Sequence, residues 1–418
     1  MVKHRQSLIY ILLKADLIGN CFQNTSNRRT IGMKYFKIKN LVLIIIFLFV
    51  GYCKVCSQHA TNENYLLLKV ENFQKKVNDK NVSLYFLKNG NISMAITNYG
   101  ARIVSLCVPD KNGEIADVVI GFKSIDEYMK ATGVYHGAII GRVAGRIKNG
   151  MVNLNGATYP LQLNNGNNHL HGGSNGFHNQ VWEVKSYSDT ALVLTYLSVD
   201  GEMGYPGNLM TEVTYKLNGK NELVMEYKAS TDKSSPVNLT NHAFFNLAGE
   251  GNGSINDHLL TIYADYICPI NEEKTATGRN YKVKETPFDF RKSTTIGKGL
   301  SVESTNEQLK IAGGYDHHFV LNKKKKNEMT LAATVVEPHS GRKMEVLTLD
   351  PCIHFFSANF FKGADIGKMG KPINFRESFA LETQRYPYSP DQKIFPTVVL
   401  NKGEIYETKT IYRFTIAD

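Results

Sequence analysis

Apolar and polar positions alternate with a period of two along most of the chain. ALVLTYLSVDGE (191–202), MTEVTYKLNGKNELVMEYKAS (210–230) and MTLAATVVEPHSGRKMEVLTL (329–349) are β-branched and aromatic runs broken by Asn, Gly and Asp. Alternate residues of an extended chain share a face, so each run predicts a strand with one side on a core and the other in water. Asn155-Gly156 in VNLNGATYPL predicts a tight hairpin, since both residues tolerate positive φ. Helical periodicity is almost absent, and short helices are expected only at 124–130 (SIDEYMK) and near 363–369. The alternation runs from about residue 65 to 416 with no Pro/Ser-rich linker. It predicts one all-β domain, a large antiparallel β-sandwich with a few short helices.

Charge changes this picture only at the N-terminus. The formal charge is +11, but residues 1–58 hold nine Lys/Arg against the single Asp16, so +8 of it lies there. A basic nucleic-acid face on the folded part is therefore not implied. From Met33, MKYFKIKN is a basic start and LVLIIIFLFVGY an uncharged apolar run of twelve, followed by small and polar residues. That layout predicts a signal peptide or membrane-targeting segment over 33–58, too short for a comfortable membrane span. Residues 1–32 show neither targeting logic nor periodicity and read as an over-long extension. The expected location is periplasmic or extracellular, with a membrane anchor only if the leader stays uncleaved or is lipidated at Cys53 or Cys56.

Cys107, Cys268 and Cys352 remain beyond the leader, widely spaced and odd in number, and are expected to be buried free thiols. Lys323 to Lys326 reads as a solvated hairpin tip. The Asn-x-Ser/Thr triplets at Asn81, Asn91 and Asn238 matter only in a glycosylating host.

The segment NNGNNHLHGG (164–173) holds two imidazoles two positions apart. A metal pair of this spacing needs a nearby carboxylate, whereas Gly172, Gly173, Ser174 and Asn175 follow and the next acid is Glu183. Gly172 to Gly176 also matches the G-x-S-x-G nucleophile elbow, which requires a strand before and a helix after; here loop and strand follow. Strand alternation would bring His169 and His171 to one side. Four further clusters carry chemistry: Arg142 and Arg146 in GRVAGRI; His242 among Asn238, Thr240, Asn241 and Asn246; Asp316, His317 and His318 at the head of a strand; and Glu382 with Gln384 on one face of FALETQ. Singly, each has a structural explanation. Together they equip a site to hold a neutral polyhydroxylated ligand and move protons on it, with no metal or cofactor implied.

These residues also resemble the aldose 1-epimerase (galactose mutarotase) family. NYGARIVSLCVPD, DVVIGF, GRVAGRI, NNHLHGG, DGEMGYPGNL, PVNLTNHAFFNLAG, GYDHHFVL and FALETQRYP occur in the family's order from about residue 67 to the end. The resemblance implies a mutarotase-type β-sandwich acting without cofactor on free hexoses; a monomer is expected. It implies His242 as general acid, Glu382 as general base and His171 as a further active-site histidine. Arg146 and Asp316 become sugar-binding residues, with Asn241 and Gln384 beside them, and His169 is left as a supporting or loop residue. Acid and base are expected on opposite sides of the sugar. His318 departs from the family's usual Asn, Ala243 and Phe244 from its Ser and Tyr, and His178-Asn179-Gln180 from a more usual acidic–basic pair; these bear on sugar preference. The alternatives are a non-catalytic carbohydrate-binding sandwich and a sugar-phosphate 1-epimerase, the latter needing a second cationic group such as Arg142 or a loop lysine.

Overall fold

The alternating runs pair into a nine-stranded antiparallel sheet in the computed structural model, which describes residues 68–388 and 395–417. The leader and the readings made on it lie outside the described residues. The strand order is Glu183–Ser188, Ala191–Ser198, Leu209–Asn218, Glu222–Thr231, Ile405–Ile416, Arg342–Thr348, Thr330–Val336, Leu259–Ile262 and Thr294–Thr295. Leu192, Leu194 and Tyr196 face inward from one strand, and Val213, Tyr215 and Leu217 from the next. Against this face pack a four-stranded sheet (Leu84–Asn89, Ile92–Thr97, Arg102–Pro109, Ile115–Asp117) and a five-stranded one. The latter runs Tyr281–Lys282, Ala264–Cys268, Asp316–Leu321, Cys352–Phe356, Ala380–Gln384. Ile103 and Leu106 from the four-stranded sheet join Phe319, Phe355 and Leu381 from the five-stranded one in a shared core. The result is the predicted antiparallel sandwich, in which burial of one face per strand also pins register, since a one-residue slip would turn every core side chain to water.

Local signals fare unevenly. Asn155 and Gly156 take φ of 51° and 79° and join Met151–Leu154 to Ala157–Pro160 as a hairpin. The helix Ile125–Lys130 forms, its N-cap Ser124 hydroxyl accepting from the Glu127 amide. No helix forms near 363–369: Gly363 and Gly370 adopt left-handed φ of 76° and 73°, and Lys368 turns inward to Glu250 and Asp117. Two helices not anticipated, Ile296–Leu300 and Glu307–Ala312, do form. Their five and six residues are too short for a clear 3.6-residue period.

Cys107, Cys268 and Cys352 are buried free thiols. Lys324 to Lys326 are exposed at a turn, but Lys323 folds back and donates to the Glu328 and Thr348 carbonyls and Thr330 Oγ1. Asn238 is fully buried; its Oδ1 accepts from the Arg385 amide at 2.8 Å, and its Nδ2 donates to the Arg385 and Tyr386 carbonyls.

Candidate active site

The segment at 139–147 carries two arginines with opposite fates. Arg142 lies wholly inside the protein, its guanidinium donating to Ser198 Oγ, Ser235 Oγ and the carbonyls of Ser198, Val199 and Pro206. A guanidinium so fully engaged braces the fold and has nothing left for a ligand. Arg146, on the strand Arg146–Ile147, instead enters a cavity of about 950 Å³. Its Nε donates to Asn165 Oδ1 at 3.0 Å, and its Nη1 stands 3.6 Å from Asp316 Oδ2.

His169–Leu170 pairs with Arg146–Ile147, and the chain then breaks from extended geometry at His171, whose φ is 52°. The two histidines therefore do not share a side, contrary to the alternation argument. His169 points into the protein, where its Nδ1 meets the Gln162 carbonyl at 2.7 Å and its Nε2 the Tyr205 hydroxyl at 2.8 Å. It is a supporting residue, one of the two readings the sequence left open for it. His171 enters the cavity, with its Nδ1 accepting from the Gly145 amide at 3.2 Å. The next residue, Gly172, has φ of 84°, and a Cβ there would lie 1.8 Å from the Gly141 carbonyl oxygen. Glycine at 172 is thus required for the close backbone approach that sets His171 in place. Ser174 donates to Gln162 Oε1 and precedes only the single 3-10 turn Phe177–Asn179, which is not the setting of a nucleophile.

His242 follows the two-residue strand Thr240–Asn241, which pairs with Ile139–Ile140. Its amide donates to the Ala138 carbonyl, and its ring packs between Tyr135 and Phe244. Asn241, expected to touch the ligand, does not line the cavity. Its amide donates to the Gly137 carbonyl and Tyr215 Oη, while its oxygen accepts from the Ala243 amide, so it straps down the loop that carries His242. Amide-rich composition around a histidine cannot distinguish a ligand contact from such a strap.

The five-stranded sheet supplies the adjoining wall. Glu382 and Gln384 share the cavity face, while Leu381 enters the core and Thr383 meets Thr410 behind it, as alternation predicts. Glu382 Oε1 lies 3.5 Å from His242 Nε2, both side chains being almost wholly buried. Acid and base candidates are therefore neighbours and not on opposite sides; O1 and O5 of a cyclic hemiacetal share carbon C1, and reaching both requires adjacent groups. Asp316 Oδ1 accepts from His354 Nε2 at 2.8 Å. His354 and Tyr135 are cavity residues that sequence reasoning missed, His354 being placed between apolar neighbours in CIHFF. Its alternation with buried Ile353 and Phe355 was the available signal.

The electrostatics separate these groups. Burial holds His171 well below the ordinary histidine range, with His242 and Arg146 adding to the effect, so it is neutral and, with Nδ1 occupied, presents Nε2–H. Burial also lowers His242, but the Glu382 carboxylate beside it works in the other direction and favours its charged form. Burial pushes the Asp316 carboxyl up, yet Arg146 and His354 overcome this and hold it well below the usual carboxylate range. Glu382 Oε2, Asp316 Oδ2 and Gln384 Oε1 are buried without hydrogen-bond partners. Such atoms are uncommon in folded proteins and await a donor.

A β-sandwich with a deep cavity, a buried imidazole–carboxylate pair and hydroxyl-sized donors and acceptors around it has the build of an acid–base enzyme for small polyols. The sequence profile of the aldose 1-epimerases matches residues 83–413, and this chain belongs to the aldose 1-epimerase family. The galactose mutarotase of Sus scrofa is 40% identical over 336 residues, which are 80% of this chain and 95% of that protein. The aldose 1-epimerase of Escherichia coli K12 is 32% identical over 328 residues, 78% and 93% of the two chains. Among solved structures, an aldose epimerase homologue from C. elegans gives a TM-score of 0.74 at 29% identity, covering 81% of this chain and 100% of that one. A galactose 1-epimerase from Lactobacillus acidophilus gives 0.71 at 27% identity, covering 82% and 97%.

Proposed function

We propose that this enzyme interconverts the α- and β-anomers of free hexoses such as D-glucose and D-galactose. The buried His242–Glu382 pair, 3.5 Å apart at the wall of the cavity, is the observation that carries the reading. Glu382 takes the proton from O1 as His242 gives one to O5, and the ring opens to the aldehyde. Rotation about C1–C2 presents the other carbonyl face to O5, and closure returns both protons. The pair ends where it began. Arg146 and neutral His171 donate to sugar oxygens; Asp316 and Gln384 accept from hydroxyls. In polarimetry, freshly dissolved α-D-glucose or α-D-galactose is expected to reach equilibrium rotation faster with the enzyme than in buffer; no acceleration would leave only a binding protein.

A phosphorylated sugar fits less well, because Arg142 is committed to the fold and the two lysines at the cavity are Lys274, which lies over the Phe360 ring with Glu272 and Glu273 beside it, and an exposed Lys362. The basic–apolar leader supports export of the mature enzyme. Its intact mass, taken from periplasmic and secreted fractions, is expected to show loss of residues through the apolar run; a full-length mass would refute cleavage.

A further inference from the structure

Within the cavity, one group of side chains is not used by the proton transfers just described. His318 and His354 stand directly opposite each other on neighbouring strands, and His354 in turn stands opposite Glu382. His354 Nε2 is 2.8 Å from Asp316 Oδ1, and its Nδ1 is 3.1 Å from His318 Nδ1. Two facing ring nitrogens share one proton, and the neighbours decide which ring owns it. Asp316 is an acceptor, so His354 keeps a proton on Nε2, and a ring carrying that proton alone is bare at Nδ1. His318 must then donate from Nδ1, which leaves its Nε2 as a lone pair. That atom has no hydrogen bond of good geometry, nor do Asp316 Oδ2 and Gln384 Oε1, although Gln384 lies close enough to His318 to favour its charged form and Arg146 Nη1 stands 3.6 Å from Asp316 Oδ2; all three residues line the cavity. Burial keeps His318 neutral.

We propose that His318 is a specificity-determining residue whose Nε2, with Asp316 Oδ2 and Gln384 Oε1, forms a wall of acceptors that takes the sugar's hydroxyls as donors. His354 is the positioning residue that fixes the His318 tautomer and orients Asp316. The inference rests on the anomer-interconverting reading of this cavity and deepens it. A sugar with fluorine in place of the hydroxyl read by His318 cannot donate there and is rejected, though its shape is nearly unchanged.

The test uses the full enzyme and the 2-, 3-, 4- and 6-deoxyfluoro forms of D-glucose and D-galactose, with kcat/KM for mutarotation and calorimetric affinity read in parallel. In the unsubstituted enzyme, at least one fluoro sugar is expected to lose about tenfold or more against its parent. In His318→Asn, whose amide N–H still reaches toward His354 but which lacks Nε2, that loss shrinks to about threefold or less while KM for the parent rises. His354→Gln offers an amide donor to Asp316 and an acceptor to His318, and is expected to keep the discrimination; His354→Leu abolishes it. Equal fluoro penalties in all four proteins overturn the proposal. So does the absence of any penalty in the unsubstituted enzyme, the result expected if a charged His354 turned His318 Nε2 into a donor. No mutarotation of the parent sugars would instead sink the catalytic reading, and the calorimetric arm would still judge the wall.

Discussion

Glu382→Gln is expected to lower kcat for mutarotation by about 10² or more, with KM changed by less than about threefold. Glutamine keeps the shape of the side chain on the strand Ala380–Gln384 but cannot take the O1 proton. It also removes the carboxylate that raises the His242 pKa against burial, so the imidazole should titrate lower still in this variant. Both halves of the transfer are then damaged at once. For the same reason, the Glu382→Gln/His242→Ala double variant should be no more than about tenfold slower than the worse single variant, because groups that act as one unit do not contribute additively. Polarimetry gives the rates, and histidine NMR gives the His242 titration. Turnover of Glu382→Gln within threefold of the unsubstituted enzyme would remove Glu382 from the chemistry, and an unchanged His242 titration would separate the two residues.

Acid should destabilise this protein steeply in a range where carboxylates alone would leave it intact. Burial holds His136, His178 and His317 at about 3 and His169 and His258 at about 4. All five would titrate near 6.5 in the unfolded chain. Their folded values are depressed, so the unfolded state binds protons first as pH falls. The stability tied to their neutrality is full above about pH 6.5 and is lost progressively down to about 4 or 3. At pH 5 the linkage amounts to about 2 kcal/mol for each, on the order of 10 kcal/mol together, which rivals the whole stability of a typical domain. Asp350 opposes this: burial raises it to about 6, so its contribution improves as pH falls through that value. Asp350 offsets about 2 kcal/mol, and Glu250, also raised by burial, acts in the same direction; two such groups leave the five histidines in control. Urea unfolding is expected to show a midpoint that falls sharply between pH 7.5 and 5; equal midpoints would mean these imidazoles are not neutral in the native state for the reason given.

Local pattern made the sandwich legible because each strand has one dry face, and a period of two records that directly. It also placed Glu382 with Gln384 correctly, since both lie on one short strand. What it could not record is which strands become neighbours. The cavity wall depends on His318, His354 and Glu382 meeting across three strands, a consequence of sheet order that no single segment carries. The same limit explains the misplaced Asn241, whose amide serves the Gly137 carbonyl and the Tyr215 hydroxyl, brought in from elsewhere in the chain. It explains too why alternation failed at His171, where the left-handed turn follows from packing against Gly145 and Gly141.

The burial of Asn238 bears on how the enzyme can be produced. Asn238-Leu239-Thr240 is a glycan acceptor triplet by sequence, as are Asn81-Val82-Ser83 and Asn91-Ile92-Ser93. Asn81 and Asn91 are exposed, and a sugar tree on either would project into solvent. One attached to Asn238 during synthesis, before the chain closes, would occupy the space of the Arg385 and Tyr386 backbone and break the hydrogen bonds that tie this segment to the strand bearing Glu382. Secretion through a eukaryotic host therefore sets glycosylation against folding at one position, and a bacterial host avoids the conflict.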